Sequence, residues 1–170
     1  WSLVLAEEVD FPFEKIILGG DHLGPNVWQN EPAESAMQKS EVMIRDYVSA
    51  GFTKIHLDCS MKLADDPEGV LDVDVIAQRA ARLAKVAEES LSLRERGAGG
   101  LRYIIGTEVP VPGGATGHEE GVSVTKVEDV QQTIAVTHEA FLREGLESAW
   151  ERVVGVVVQP GVEFGDNFVL

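Results

Sequence analysis

Four runs of mainly branched apolar residues divide the chain, and polar or glycine-rich residues follow each of them. The runs cover residues 15–18, 52–57, 101–105 and 153–158. Their apolar residues are largely continuous rather than alternating, which is typical of strands buried on both faces of a parallel sheet. We therefore predict four parallel strands at these positions.

Three segments between the runs place apolar residues at helical spacing. The first has an early proline, and a glycine follows the last turn of each segment. The third opens with a capping-box pattern, Thr125 and Glu128, in which each side chain would accept a backbone N–H at the helix start. The predicted helices cover residues 32–50, 72–96 and 125–145.

Strict alternation of strands and helices predicts an α/β fold with right-handed crossovers. A doubly wound sheet and a slice of a (β/α)8 barrel both have this order, but a complete barrel needs about 250 residues. A chain of 170 residues with a hydrophobic share of 44% predicts one domain over residues 1–170. The start at Trp1 and the apolar end at Leu170 suggest an internal portion of a longer polypeptide.

The formal net charge of −15 argues against nucleic acid and anionic membranes as partners, since no basic run offsets it. Cys59 is the only cysteine, so no internal disulfide can form, and no stretch resembles a secretory signal. No apolar run approaches the about 20 residues that span a bilayer. These features predict a soluble, cytoplasmic protein.

Side chains that could carry chemistry follow the predicted strands, at the carboxyl ends where α/β folds place their sites. Asp21 and His22 come after the first strand. An imidazole beside a carboxylate suits metal-assisted proton transfer, because the imidazole ligates a divalent ion while the carboxylate moves a proton or orients the ligand. The alternative is that Asp21 caps the following turn and His22 fills a polar pocket.

Other polar residues near the strand ends allow more than one interpretation. His56, inside the second strand, is interpreted as a hydrogen-bonded core histidine rather than a ligand. Asp58 and Ser60 either contact a substrate or hold the loop backbone together. Glu108 follows the third strand, where a carboxylate is costly unless it is paired or ligated, and we interpret it as functional. The candidate substrate-binding residues are Asn26, Asp58, Ser60 and Gln159.

Three further features are interpreted as structural. The glycine-rich segment 111–121 matches neither the dinucleotide fingerprint nor the P-loop, which favours a mobile lid or a surface loop around His118. His138 lies on the apolar stripe of the third helix and is interpreted as a packing or interface residue. Cys59 has no evident base and is interpreted as a small buried residue.

Four motifs at the strand ends, GGDHLGPN, GFTKIHLDCSM, YIIGTEVPVPGG and VVVQPGVEF, occur in this order along the chain. Together they resemble the non-catalytic Z-type subunit family of tagatose bisphosphate aldolase, over residues 11–164. The resemblance implies a (β/α)8 barrel of which this chain covers about half, as an internal part. It also implies a relationship to the class II, metal-dependent aldolases.

By this resemblance Asp21 is the proton-transfer position, His22 the metal-ligand position and Glu108 an acidic residue near the metal. A class II site needs further histidines from later strands, and the chain has none after His138. The resemblance therefore implies a subunit that supports a separate catalytic aldolase chain in galactitol or amino-sugar catabolism. Zinc is then weakly bound or absent, while sugar phosphate binding and assembly into an oligomer are further expectations.

Two other functions stay open at this stage. One is a metal-dependent aldolase or sugar-phosphate lyase in its own right, and the other is a sugar-phosphate binding protein without chemistry. Some members of the family are also labelled tagatose-6-phosphate kinase. The sequence does not support kinase activity, because it has neither a P-loop nor a protein-kinase glycine loop.

Overall fold

The computed structural model of the chain describes residues 2–91, 100–106 and 124–160. Strands and helices alternate through these residues. In chain order they are α1 (Ser2–Glu8), β1 (Gly19–Leu23), α2 (Ala33–Ser49), β2 (Lys54–Leu57), α3 (Val73–Ser90), β3 (Arg102–Ile105), α4 (Val127–Arg143), α5 (Glu147–Trp150) and β4 (Val153–Val156), with 3-10 helices at Phe13–Lys15 and Pro25–Trp28.

The four strands form one parallel sheet in the order β1-β2-β3-β4. Each strand therefore pairs with its neighbours in the sequence, and helix α3 packs against both α2 and α4. This arrangement confirms the predicted α/β fold with a parallel sheet. Because the strands are parallel, their carboxyl ends meet at one rim of the sheet.

The hydrophobic core brings together one face of the sheet and the helices. Ile55, Leu57 and Tyr103 are almost fully buried in this core, where they belong to one cluster with apolar residues of α2, α3 and α4. Successive side chains of a strand point to opposite faces. Lys54 and His56 of β2 therefore lie on the face away from the core, where the candidate site is found.

The first strand is displaced from its predicted position. The prediction for residues 15–18 is wrong, because Phe13–Lys15 forms a 3-10 helix and β1 begins at Gly19. Ile17 is 77% exposed, so this apolar run does not enter the core. Gly20 is buried instead, and a Cβ added to it would stand 3.0 Å from a tyrosine ring of α2. Pairing with β2 and close packing against α2 thus fix the position of β1.

Helices α2 and α3 begin where the sequence predicts. The carboxylate of Asp72 caps α3 by accepting the Asp74 N–H at 2.9 Å. Helix α3 ends at Ser90, before the predicted residue 96, and residues 92–99 lie outside the described part of the chain. No helix within the described ranges is long and apolar enough to cross a membrane.

The predicted capping box of the third helix is wrong. Helix α4 begins at Val127, and its N-cap residue, Lys126, makes no capping hydrogen bond with its side chain. Thr125 instead pairs with Gln159, whose N–H donates to the Thr125 hydroxyl at 2.7 Å. The Thr125 N–H donates to the Gln159 carbonyl at 2.9 Å. The hydroxyl and backbone N–H of Thr125 thus connect the residues before α4 to the residues that follow β4.

Candidate functional site

A β-bulge in β1 positions the adjacent aspartate and histidine. The pairing of β1 with β2 shifts register between Gly20 and Leu23, and His22 adopts a left-handed backbone conformation (φ +49°). Bulges re-aim side chains, and a non-glycine residue in this conformation costs about 1–3 kcal/mol. As a result, the side chains of Asp21 and His22 both lie against His56 of β2.

The Asp21 carboxylate is engaged by two side chains of β2. Its Oδ1 accepts hydrogen bonds from Lys54 Nζ at 3.0 Å and from His56 Nδ1 at 2.8 Å. The hydrogen bond from Lys54 is the largest of the effects that lower the pKa of Asp21 to about 2. Asp21 is therefore ionised at neutral pH. Its side chain remains 63% exposed, so a small ligand can reach it.

Asp58, directly after β2, fixes the ring of His22. Its Oδ2 lies 3.0 Å from His22 Nδ1. Its Oδ1 accepts the Ser60 hydroxyl at 2.6 Å and the Ser60 backbone N–H at 3.1 Å. Asp58 is buried, whereas the side chain of His22 is 42% exposed. Both carboxylate oxygens of Asp58 thus have partners within the protein, and one of them orients an accessible imidazole.

His56 completes a cluster of possible metal ligands. Asp21, His22 and His56 each offer a ligand atom within 4.8 Å of the others, and the two imidazole centroids are 5.0 Å apart. Nε2 of His56 is buried and has no hydrogen-bond partner among the described residues. Imidazole and carboxylate donors suit zinc and related divalent ions. These three side chains could therefore hold a metal ion.

The sequence analysis missed His56 as a member of this cluster. His56 is buried, as a core histidine would be, but its ring hydrogen-bonds to Asp21 on the face away from the core. Strand periodicity carried a usable signal, because His56 stands between the core residues Ile55 and Leu57 and so must face the other way. The contact between His56 and Asp21 could not be predicted from the sequence, because it depends on the bulge in β1.

Some of the other candidate residues lie beside Asp21 and His22, and others lie farther along the rim of the sheet. Asp58 and Ser60 lie with Asp21 and His22 in one hydrogen-bonded group. Asn26 lies in the 3-10 helix that follows β1, and Gln159 follows β4, at the opposite edge of the sheet. Outside the described residues lie Glu108, His118 and segment 111–121.

Two structural interpretations from the sequence are confirmed. Cys59 is fully buried, and this burial raises the pKa of its thiol far above the usual range. His138 stacks on Trp150, with ring centroids 4.7 Å apart and an angle of 28° between the ring planes. Neither side chain is part of the Asp21 cluster.

The loop after β2 is held in place by a buried ion pair and a close backbone contact. Arg79 of α3 donates to both carboxylate oxygens of Asp66, at 2.9 and 2.6 Å, and their side chains are only 10% and 8% exposed. Asp66 also accepts the Leu63 N–H at 2.7 Å. Gly24 packs so tightly on this loop that a Cβ would stand 1.7 Å from the carbonyl oxygen of Asp58. The Gly24 contact is made at Asp58, the residue whose carboxylate holds His22.

Comparison with known proteins gives one family over nearly the whole chain. The family model described as D-tagatose-1,6-bisphosphate aldolase subunit GatZ/KbaZ-like matches residues 2–170. A crystal structure of a probable tagatose 6 phosphate kinase from Sinorhizobium meliloti 1021 is similar over 98% of this chain, with 46% sequence identity and a TM-score of 0.80. The chain spans 38% of the length of that protein.

Proposed function

This chain belongs to the D-tagatose-1,6-bisphosphate aldolase subunit GatZ/KbaZ-like family, and on that premise we propose that it is part of a non-catalytic subunit. The subunit would support a class II tagatose-bisphosphate aldolase in galactitol or amino-sugar catabolism. The observation that supports the non-catalytic role is the low pKa of Asp21. With Lys54 holding its pKa at about 2, Asp21 is a weak base, whereas general bases work best with a pKa near the operating pH.

The proposal includes the fold of the longer polypeptide. The four parallel strands would be an internal half of a (β/α)8 barrel, with residues 1–170 inside one domain. Sequential strand order and the packing of α3 against both α2 and α4 support this, because a barrel repeats the same βα unit around its axis. Strands β1 and β4 are the outer strands of the sheet that the described residues form, and further strands of the barrel would pair with their edges.

Zinc is the proposed cofactor, held by His22 together with its neighbours in the cluster. The residues fit such an ion, since imidazole and carboxylate donors lie together and a buried imidazole nitrogen has no partner among the described residues. When bound, the ion would polarise a ketose carbonyl. We expect weak retention, because the cluster offers two imidazoles, whereas catalytic zinc usually takes three firm protein ligands.

The other candidate residues at the rim of the sheet would help to bind a sugar phosphate. By the family resemblance, Asp21 would occupy the proton-transfer position of the related aldolases, and Glu108, outside the described residues, would be an acidic residue near the metal. Asp58 would act through His22, since both of its oxygens already have partners. Asn26, Ser60 and Gln159 are the residues proposed to contact the substrate, and Asp58 is proposed to contribute to substrate binding through His22.

Stimulation of a catalytic aldolase tests the supporting role. We expect the intact protein to raise the aldol cleavage rate, or the half-life at elevated temperature, of a purified class II tagatose-bisphosphate aldolase. Asp21→Ala and His22→Ala should reduce this stimulation only mildly, because a supporting subunit does not use the pair for chemistry. Equal rates and half-lives with and without the protein, over a range of mixing ratios, would contradict the supporting role.

A second candidate function is a metal-dependent aldolase acting without a partner. His56 favours it, because this side chain adds a second imidazole to a site for which the sequence analysis predicted only one. The low pKa of Asp21 weighs against it. Cleavage of the bisphosphate by the protein alone distinguishes the two functions.

A further inference from the structure

We propose that His56 is a second imidazole ligand of the metal ion bound by His22, and that Asp21 and Asp58 are the carboxylates that orient the two rings. This inference deepens the proposed function and rests on it for the role of the ion. The ligand pair comes from two adjacent strands of this chain, so that it does not depend on histidines contributed by later strands.

In the ring of His22, Nδ1 is hydrogen-bonded to Asp58, which leaves Nε2 to bind a metal ion. An ionised carboxylate only accepts hydrogen bonds, so His22 Nδ1 carries the proton in its 3.0 Å contact with Asp58. In the neutral imidazole the lone pair then lies on Nε2. Histidines that ligate metals commonly donate their other ring N–H to a carboxylate, which fixes the tautomer and the ring orientation.

The ring of His56 has the same arrangement with Asp21. Two groups approach its Nδ1, namely the Asp21 carboxylate at 2.8 Å and the His22 backbone N–H at 3.4 Å. One nitrogen cannot donate to the first and accept from the second. The shorter contact to a charged acceptor is the stronger, so Nδ1 is the donor and Nε2 holds the lone pair.

The lone pair on His56 Nε2 needs an explanation, because buried polar atoms without partners are rare and costly. Nε2 is buried and has no partner among the described residues. A metal ion bound by the neighbouring His22 would provide that partner. The ring centroids are 5.0 Å apart, and one ring nitrogen of each histidine lies within 4.8 Å of the other.

Titration of the intact protein with Co²⁺, followed by its visible absorption, tests the ligand pair. We expect one Co²⁺ per chain for the wild type. His56→Gln and His22→Gln should each weaken the affinity by about 100-fold or more, since even the loss of a partner of a ligand costs about 10- to 100-fold. The matched control is His138→Gln, which removes an imidazole stacked on Trp150 outside the cluster and should leave the affinity unchanged.

Additional measurements keep the result interpretable if a variant folds poorly. Circular dichroism and thermal unfolding report whether each variant is folded. Imidazole nitrogen NMR of the wild type needs no substitution, and Zn²⁺ should shift the signals of His22 and His56 but not that of His138.

Asp58→Asn should weaken Co²⁺ binding by about 10- to 100-fold while retaining the same stoichiometry, because Asp58 acts on the metal site only through the His22 ring.

Wild-type affinity in a folded His56→Gln variant, or an unshifted His56 signal on saturation with Zn²⁺, would overturn the inference. The titration requires neither substrate nor partner, so it is independent of the proposed function. Failure of metal binding with intact stimulation of a catalytic aldolase would reject the ligand pair alone. Metal binding without such stimulation would reject the supporting role alone.

Discussion

Arg79→Met is expected to destabilise the protein by about 3–5 kcal/mol, because it leaves the buried Asp66 carboxylate without its counter-ion. Arg79 donates to both oxygens of Asp66, and the two side chains are only 10% and 8% exposed. Urea unfolding at neutral pH measures the change. The matched control is Arg143→Met, whose partner Asp74 lies 3.9 Å away with both side chains 55% exposed, and it should cost less than about 1 kcal/mol. Equal stabilities of the two variants would contradict this interpretation.

The difference between wild type and Arg79→Met should also depend on pH. The hydrogen bonds from Arg79 are the first cause that lowers the pKa of Asp66 below its usual value. A carboxylate with a depressed pKa in the folded state stabilises the protein above its unfolded pKa, about 3.9 for aspartate. This stability is lost as the pH falls through the folded pKa. The stabilities of the two proteins should therefore begin to converge as the pH falls below about 4 and become equal only below the folded pKa of Asp66.

Gly24→Ala is expected to cost about 3 kcal/mol and to disrupt the cluster around His22. The added Cβ would stand 1.7 Å from the carbonyl oxygen of Asp58 and 2.7 Å from its carbonyl carbon, and backbone atoms cannot move aside as a flexible side chain can. The Asp58 N–H also donates to the Leu23 carbonyl at 3.1 Å, which ties the ends of β1 and β2 together. The two strand ends must separate to admit a methyl group.

A glycine in open space provides the control for Gly24→Ala. Gly145 has φ +71° and no atom within 4 Å of an added Cβ, so Gly145→Ala should cost only the backbone strain of about 1–2 kcal/mol. Co²⁺ affinity should fall in Gly24→Ala and stay at the wild-type value in Gly145→Ala. A Gly24→Ala variant with wild-type stability and Co²⁺ affinity would refute the close contact.

Much of the fold could be predicted because apolar runs and their flanking residues report burial directly. Strands β2, β3 and β4 lie within two residues of their predicted ends. Strand β1 has the sequence GGDHL, in which two glycines and two polar residues give no strand pattern. Its position comes from pairing with β2, a contact between distant parts of the chain that a local pattern cannot contain. The same limit explains Thr125, whose hydroxyl is taken by Gln159 instead of capping α4.

The candidate site could be predicted in part for a similar reason. Asp21, His22 and Asp58 stand out because polar residues at strand ends meet at one rim of a parallel sheet. The inclusion of His56 depends on the bulge that turns Asp21 and His22 onto its ring, and on a register that only the folded sheet defines. The role of Asp58 as a partner of His22 likewise depends on a distance of 3.0 Å across the two strands.

Aldol cleavage of tagatose 1,6-bisphosphate by the intact protein alone, with zinc measured on the same sample, tests the non-catalytic role most directly. We predict no cleavage above the background rate, because Lys54 keeps Asp21 a weak base. We also predict less than one zinc per chain after dialysis, because the cluster offers two imidazoles where catalytic zinc usually takes three firm protein ligands. One tightly held zinc per chain, together with cleavage that His22→Ala abolishes, would contradict the supporting role and identify an aldolase in its own right.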